Sequence, residues 1–276
     1  MSNRWSRIGI GVSGLLMTYL SLAYLAQMPF IECLWPWTDY GTELHTLSLT
    51  FLSSIAAAIA APQIWIALTG KVATAAGGAL NLAVCFTGIA CYLFTQHQAD
   101  PANARLLPAT IILGVSALAN LGVFLATRKI PFEDPRPLPM PVRISFGIFI
   151  VALWLVGGSL IQLRPNILPW DMTPQGSVIY GWIYLGASMY FLYALARPKW
   201  ENATGQLLGF LAYDLVLIGP FLLRFSEVPD EQRLSLIVYT SIVVYSGLLA
   251  SYYLFIHPET RLRRGIVQPL TSRASA

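Results

Sequence analysis

One carboxylic acid stands alone inside a long apolar stretch. Asp214 lies near the middle of the run Gly205–Phe225, far from either end. A charged carboxylate at a bilayer centre costs about 2.5–3.5 kcal/mol on insertion scales, so it needs a partner, water or a proton. Two kinds of chemistry are open to it. It can relay a proton or cation, or touch a solute. It can instead bond a neighbouring helix, with Tyr213 or a tyrosine of the preceding run as partner. In that preceding run Tyr180, Tyr184 and Ser188 recur at four-residue spacing, which places them on one helical stripe. Asp214, Tyr213, Tyr180 and Tyr184 are the candidate polar site.

A second candidate is a pair of short tryptophan loops. Leu34-Trp35-Pro36-Trp37 is echoed by Leu168-Pro169-Trp170, each between two apolar runs. Pro29 and Ile31 precede the first, and Pro165 and Ile167 precede the second. Tryptophan suits a membrane interface because its ring is apolar and its N–H is polar, so Trp35, Trp37 and Trp170 read as anchors. The alternative is an outer pocket built from both loops and lined by Glu32, Asp39 and Asp171.

Other chemistry is weakly supported. A haem or chlorophyll would need shielded axial ligands. His45 and His97 sit near the outer ends of their runs and His257 at the opposite end, so no second buried ligand is expected. Cys33, Cys85 and Cys91 show no metal spacing and no even disulfide set. No Gly-x-Ser-x-Gly, His-Glu-x-x-His or phosphate-cradling glycine loop occurs. No catalytic residue, metal ligand or cofactor is therefore assigned. Asn81 and Asn120, inside apolar runs, read as interhelical glue. Pro62, Pro108 and Pro220 read as kinks. Asn202-Ala203-Thr204 fits a glycosylation acceptor but falls in an expected inner loop.

The elements that must position these residues follow from hydropathy. The chain has 276 residues, 56% apolar and 11% charged, against about a quarter charged in soluble proteins. Eight runs are long enough to span a bilayer: Ile8–Met28, Leu44–Thr69, Val72–Thr95, Leu106–Thr127, Ile144–Leu163, Ser177–Ala196, Gly205–Phe225 and Leu234–Ile256. Barrel strands are half that length and alternate in polarity, which excludes a barrel. The expected class is an all-α polytopic bundle of eight transmembrane helices. With the N-terminus inside, 13 of the 17 Lys and Arg fall on cytoplasmic segments, which predicts that both termini are cytoplasmic. Both tryptophan loops then face outward. No small-residue cleavage site precedes Pro29, so the first run reads as a retained helix. No basic run interleaved with aromatics occurs, so nucleic acid is not an expected partner.

The chain also reads as a duplication. Arg7, Ile8 and Gly11 match Arg143, Ile144 and Gly147. Gly78, Leu80, Gly88 and Phe94 match Gly209, Leu211, Gly219 and Phe225. Each half holds an even number of helices, so the repeat is parallel. The expected division is a first repeat over 1–129, a proline-rich cytoplasmic linker over 130–141, a second repeat over 142–260 and a basic cytoplasmic tail over 261–276. The halves differ in content. Ser53, Ala57 and Ala61 form a small-residue ladder in the first, and Ala73 with Gly77 forms another. Nine of the 13 tyrosines lie in the second. Ala83 stands where Asp214 does, so a role for that acid is not duplicated.

The aromatic-Pro-Trp outer loop followed by a helix rich in small residues, carried here by Leu34–Trp37 and Leu168–Trp170, resembles a group of bacterial multi-pass membrane proteins without assigned function. The resemblance implies a bacterial origin, and with it the plasma (inner) membrane, and says nothing about activity. Two functions remain open at this stage. One is a permease-like or ion-coupled small-solute pathway between the repeats, which predicts Asp214 on a water-accessible cavity. The other is a non-catalytic subunit or assembly factor of a larger membrane complex, which predicts a closed interior and Asp214 bonded helix to helix.

Overall fold

The computed structural model describes residues 3–37 and 46–262. Asp39, Glu43, His45 and the basic tail from Arg263 onward lie outside the described residues. The helices are α1 (Asn3–Leu25), α2 (Thr46–Thr69), α3 (Ala75–Ala99), α4 (Leu106–Thr127), α5 (Met140–Ile161), α6 (Pro174–Ala196), α7 (Trp200–Arg224) and α8 (Asp230–Ser251). Among the described residues these eight are each long and apolar enough to cross a membrane. At 1.5 Å per residue, about 20 residues span the hydrocarbon core.

Polar side chains inside the helices are disposed of locally. Thr87 donates to the carbonyl of Ala83, Thr110 to Leu106 and Ser116 to Ile112, at 2.7–2.8 Å. Such back-bonding keeps a hydroxyl satisfied where no water is present. Asn120 does the same, its Nδ2 donating to Ser116 at 2.9 Å, so it does not bridge helices as its type suggested. Pro62 and Pro220 lie inside α2 and α7. Pro108 sits in the first turn of α4, where no backbone N–H is needed, so it starts a helix and kinks none.

The helices pack in two layers of four. One runs α1, α2, α7, α8 and the other α4, α3, α6, α5, with close packing inside each layer and little between α2 and α3 or between α6 and α7. Glycines set the close approaches. A Cβ on Gly209 would stand 2.9 Å from the Ala58 carbonyl across α2 and α7. One on Gly186 would stand 2.6 Å from the Cβ of Cys85 across α3 and α6. Without side chains there, backbones meet and dispersion contacts accumulate.

The stretch between α4 and α5 is held as extended chain. Leu138 N–H donates to Pro198 at 3.0 Å and Trp200 N–H to Arg136 at 3.0 Å, so it lies along the α6–α7 turn. Helix α7 begins at Trp200, five residues before the apolar run, because Trp200, Glu201 and Asn202 are buried beneath this strap. Asn202 is therefore a buried helical residue and not a loop acceptor; its Nδ2 donates to the Arg197 carbonyl at 3.0 Å. Glu201, 1% exposed, pairs with Lys71 at 3.3 Å and accepts the Asp134 N–H at 2.6 Å. That ties the α2–α3 turn to the strap and to α7.

Candidate functional site

Because the two layers meet loosely, they leave between them a partly open cavity of about 970 Å³ lined from all eight helices, with exposed Leu155 and Leu234 on its margin. Its wall is mainly Ala, Ile, Leu, Val and Phe. Among the described residues no Asp, Glu, Lys, Arg or His lines it. The polar groups on it are neutral: hydroxyls of Tyr184, Tyr190, Tyr213 and Tyr239, and amides such as Gln63 and Gln206. The Oε1 atoms of Gln63 and Gln206 are buried without a hydrogen-bond partner.

Three of those tyrosines meet. Tyr184 of α6 and Tyr239 of α8 share a hydrogen bond of 2.7 Å between their hydroxyls. Tyr239 is also bonded to the hydroxyl of Tyr213 on α7. The cluster thus bridges the layers. Phe51 of α2, fully buried, packs beside it, with ring centroids 5.6 Å from Tyr184 and 6.3 Å from Tyr213. Tyr180, although on the same stripe as Tyr184, turns to α2, where its hydroxyl meets Ser48 Oγ at 2.5 Å. Ser188 accepts from Trp154 of α5 at 2.8 Å. The stripe on α6 therefore serves three partners on three helices.

Asp214 is 5% exposed and directed at α8, where Ser246 donates to its Oδ1 at 3.0 Å. Gly247 makes the room: a Cβ there would lie 3.3 Å from Oδ2. Oδ2 is buried without a partner. Among the described residues the carboxyl does not line the cavity, whereas Ser246 does, so the acid is one side chain removed from it. The water-facing position expected of a relay is not what the geometry gives.

The tryptophan loops are unequal. Trp35 and Trp37 pack on each other at 5.2 Å, half-buried, and Asn103 Nδ2 donates to the Pro36 carbonyl at 3.1 Å. Trp170 is 3% exposed and is a core residue, not an interface anchor. It lies 5.6 Å from Phe51 and 6.4 Å from Tyr239, and its Nε1 is buried without a partner. Burying a ring of that size in an aromatic cluster outweighs leaving it at an interface. Glu32 and Asp171 are exposed, and Asp171 accepts from Gln232 Nε2 at 2.6 Å. Neither lines the cavity among the described residues. His97 lies in the last turn of α3. Among the described residues no three His, Cys, Asp or Glu side chains converge as a metal site.

Tyr239 and Phe51 were not distinguishable from other aromatic residues in apolar runs. The only available signal for Tyr239 was its hydroxyl deep inside the last run, away from both helix ends. Glu201 was hidden by its place outside the apolar window.

The fold and the cavity define an integral, multi-pass membrane protein in contact with a lipid bilayer. No protein-family model, curated protein or solved structure matches the chain.

Proposed function

We propose that this protein takes up an uncharged, largely apolar small molecule in the cavity between its layers and acts as a permease-like pathway for it. The observation that carries this is a 970 Å³ space with no Asp, Glu, Lys, Arg or His on its described wall. A volume of that order suits a drug-sized or lipid-sized guest. A charged guest would lose its hydration there with no countercharge to replace it. The same wall argues against coupling to an ion through Asp214.

The symmetry of the packing supports two parallel four-helix repeats. Exchanging α1–α4 for α5–α8 carries the α2–α7 seam onto the α6–α3 seam. Gly209, facing Ala58 in one seam, then corresponds to Gly78, facing Tyr190 in the other. The lysine and arginine distribution supports cytoplasmic termini, and the tryptophan-loop resemblance supports a bacterial inner membrane. A second reading, a subunit or assembly factor within a larger membrane complex, is favoured by the Asp214–Ser246 bond, which closes the acid between two helices.

The test is photolabelling in lipid nanodiscs with 4-dodecylbenzophenone, a neutral apolar ketone, followed by peptide mass spectrometry. Saturable adducts on cavity-lining segments are expected. Ala187→Trp and Ala152→Trp, which put an indole into the space, should abolish them. Labelling confined to lipid-facing residues, or unchanged in both filled variants, would remove the pathway and leave the subunit reading.

A further inference from the structure

We infer that the cavity is entered sideways from the bilayer, through one slit in each leaflet, and that its guest is a membrane lipid with a small uncharged hydroxyl headgroup, such as diacylglycerol. This rests on the proposed cavity function and adds the route and the chemistry of the guest.

The route follows from which helix edges are left unsealed. Each layer is closed internally, but at the layer ends α1 meets α4, and α5 meets α8, with little contact. At the first edge Gly9 and Ser13 of α1 and Asn120 and Val123 of α4 line the cavity. At the second, Leu155 and Ser159 of α5 and Leu234 and Val238 of α8 line it. Val123 is 40% exposed, Leu155 67%, Leu234 72% and Val238 50%, so the cavity wall runs into the outer surface at both edges.

The two edges open at opposite depths. Eight successive crossings put the start of α1, the end of α4, the start of α5 and the end of α8 on one side of the membrane. Gly9 and Ser13 lie in the first half of α1, and Asn120 and Val123 in the last third of α4, so the first slit is on that side. Leu155 and Ser159 lie in the second half of α5, and Leu234 and Val238 in the first half of α8, so the second slit is on the other. Hydrogen bonds pin the second slit at both ends, from Ser235 Oγ to the Asn166 carbonyl and between Ser145 and Tyr245 hydroxyls at 2.6 Å. One cavity joins the slits. An opening within the apolar span meets acyl chains and not water.

The polar groups select the headgroup. Gln63 of α2 and Gln206 of α7 line the cavity on the side of the first slit, and a Cβ on Gly14 of α1 would stand 3.2 Å from that of Gln63. Neither side-chain amide makes a hydrogen bond among the described residues, and the Oε1 of each is buried without a partner. An unpaired amide in an apolar wall is costly unless a guest completes it. A half-turn about its terminal bond exchanges oxygen and nitrogen, so each amide can accept from a hydroxyl and donate to an ester carbonyl. Diacylglycerol carries both groups and no charge. A phosphate headgroup would enter without a countercharge, since no Lys, Arg or His lines the described wall.

The test is photolabelling of the full-length protein in phosphatidylcholine nanodiscs with a diacylglycerol bearing a diazirine in its acyl chain, mapped by peptide mass spectrometry. Saturable adducts are expected on the facing edges of α1 and α4 and of α5 and α8. Dioleoylglycerol should compete about tenfold better than the same lipid with its hydroxyl acetylated, and better still than dioleoylphosphatidate. Gln63→Leu with Gln206→Leu should bring dioleoylglycerol and its acetate together. Gly9→Trp puts an indole where a Cβ would meet nothing within 4 Å, and should remove the α1–α4 adducts. Equal competition by dioleoylglycerol and its acetate on the wild type would overturn the hydroxyl headgroup, as would a preference that survives in the folded double Leu variant. Non-saturable adducts spread over every lipid-facing surface, or α1–α4 adducts unchanged in folded Gly9→Trp, would overturn sideways entry. In each of these cases saturable cavity labelling by 4-dodecylbenzophenone leaves the proposed function standing, and its loss sinks that reading too. The competition and the adduct map both use the wild type, so a variant that fails to fold leaves the proposal testable.

Discussion

Tyr213 and Asp214 are adjacent on α7, yet their surroundings have little in common. Tyr213 faces the cavity and joins a hydroxyl cluster that bridges the layers. Asp214, about 100° further round the helix, is pressed against α8 and bonded to Ser246. One residue step therefore separates a polar group placed where a guest can meet it from one sealed between helices. The pair shows that an intramembrane acid is not by itself evidence of a pathway. What decides its role is which face of the helix it occupies. Glu201 belongs with Asp214 on the sealed side of this contrast, buried and paired with Lys71.

The largest expected effect lies at that sealed pair. Glu201→Ala leaves the half-buried Lys71 ammonium without its closest countercharge, which should cost about 2–3 kcal/mol. SDS-driven unfolding in dodecylmaltoside micelles measures it. The double variant Lys71→Met with Glu201→Leu should recover most of the loss, since an apolar pair of similar size replaces a buried ion pair at small cost. If the double variant is as unstable as the single one, the residues are not coupled and the contrast weakens.

A smaller effect separates the two centres directly. Ser246→Ala removes the one donor to Asp214 and should destabilise by about 1–2 kcal/mol, because the acceptor stays buried. Tyr239→Phe should cost about half that in the same assay, because the hydroxyls of Tyr184 and Tyr213 can turn to the cavity or to each other. Equal losses in the two variants would mean that the cluster is as sealed as the acid.

Accessibility sharpens the same comparison. In a background lacking Cys33, Cys85 and Cys91, cysteine is placed at Tyr213 or at Asp214 and treated with N-ethylmaleimide. The cysteine at 213 should react faster on the order of tenfold, since reactivity follows exposure of the thiol. Cysteine at 214 reacting as fast would restore the acid to the pathway.

The eight helices were legible because each needs only a long apolar run, a local property of the chain. Their ends were less so: α7 starts at Trp200 because the linker strap buries Glu201 and Asn202, and nothing local announces that. Tyr184 and Tyr213 were legible as polar groups in apolar runs. Their meeting through Tyr239 was not, because it depends on α6, α7 and α8 converging across two layers. Trp170 shows the same limit in reverse. Its sequence matches Trp37, but only the tertiary packing of Phe51, Phe221 and Tyr239 around it makes it a core residue.

The smallest effect belongs to the strap, where polar groups meet solvent. The Arg136 guanidinium hydrogen-bonds Asp134 at 2.9 Å and holds its carboxyl below the usual carboxylate range. A carboxyl depressed in the folded state contributes stability above its unfolded value, near 4, and loses it as pH falls through the lower folded value. Arg136 is nearly half-exposed, so screening by solvent leaves the contribution at about 0.5 kcal/mol. Comparing wild type with Asp134→Asn between pH 6 and pH 3 isolates it. The wild type should start slightly more stable, and the gap should close as the acid is protonated. A gap of several kcal/mol would place Asp134 with Glu201 among the sealed groups. The ordering from buried pair to interhelical acid to solvent-washed strap would then no longer follow burial.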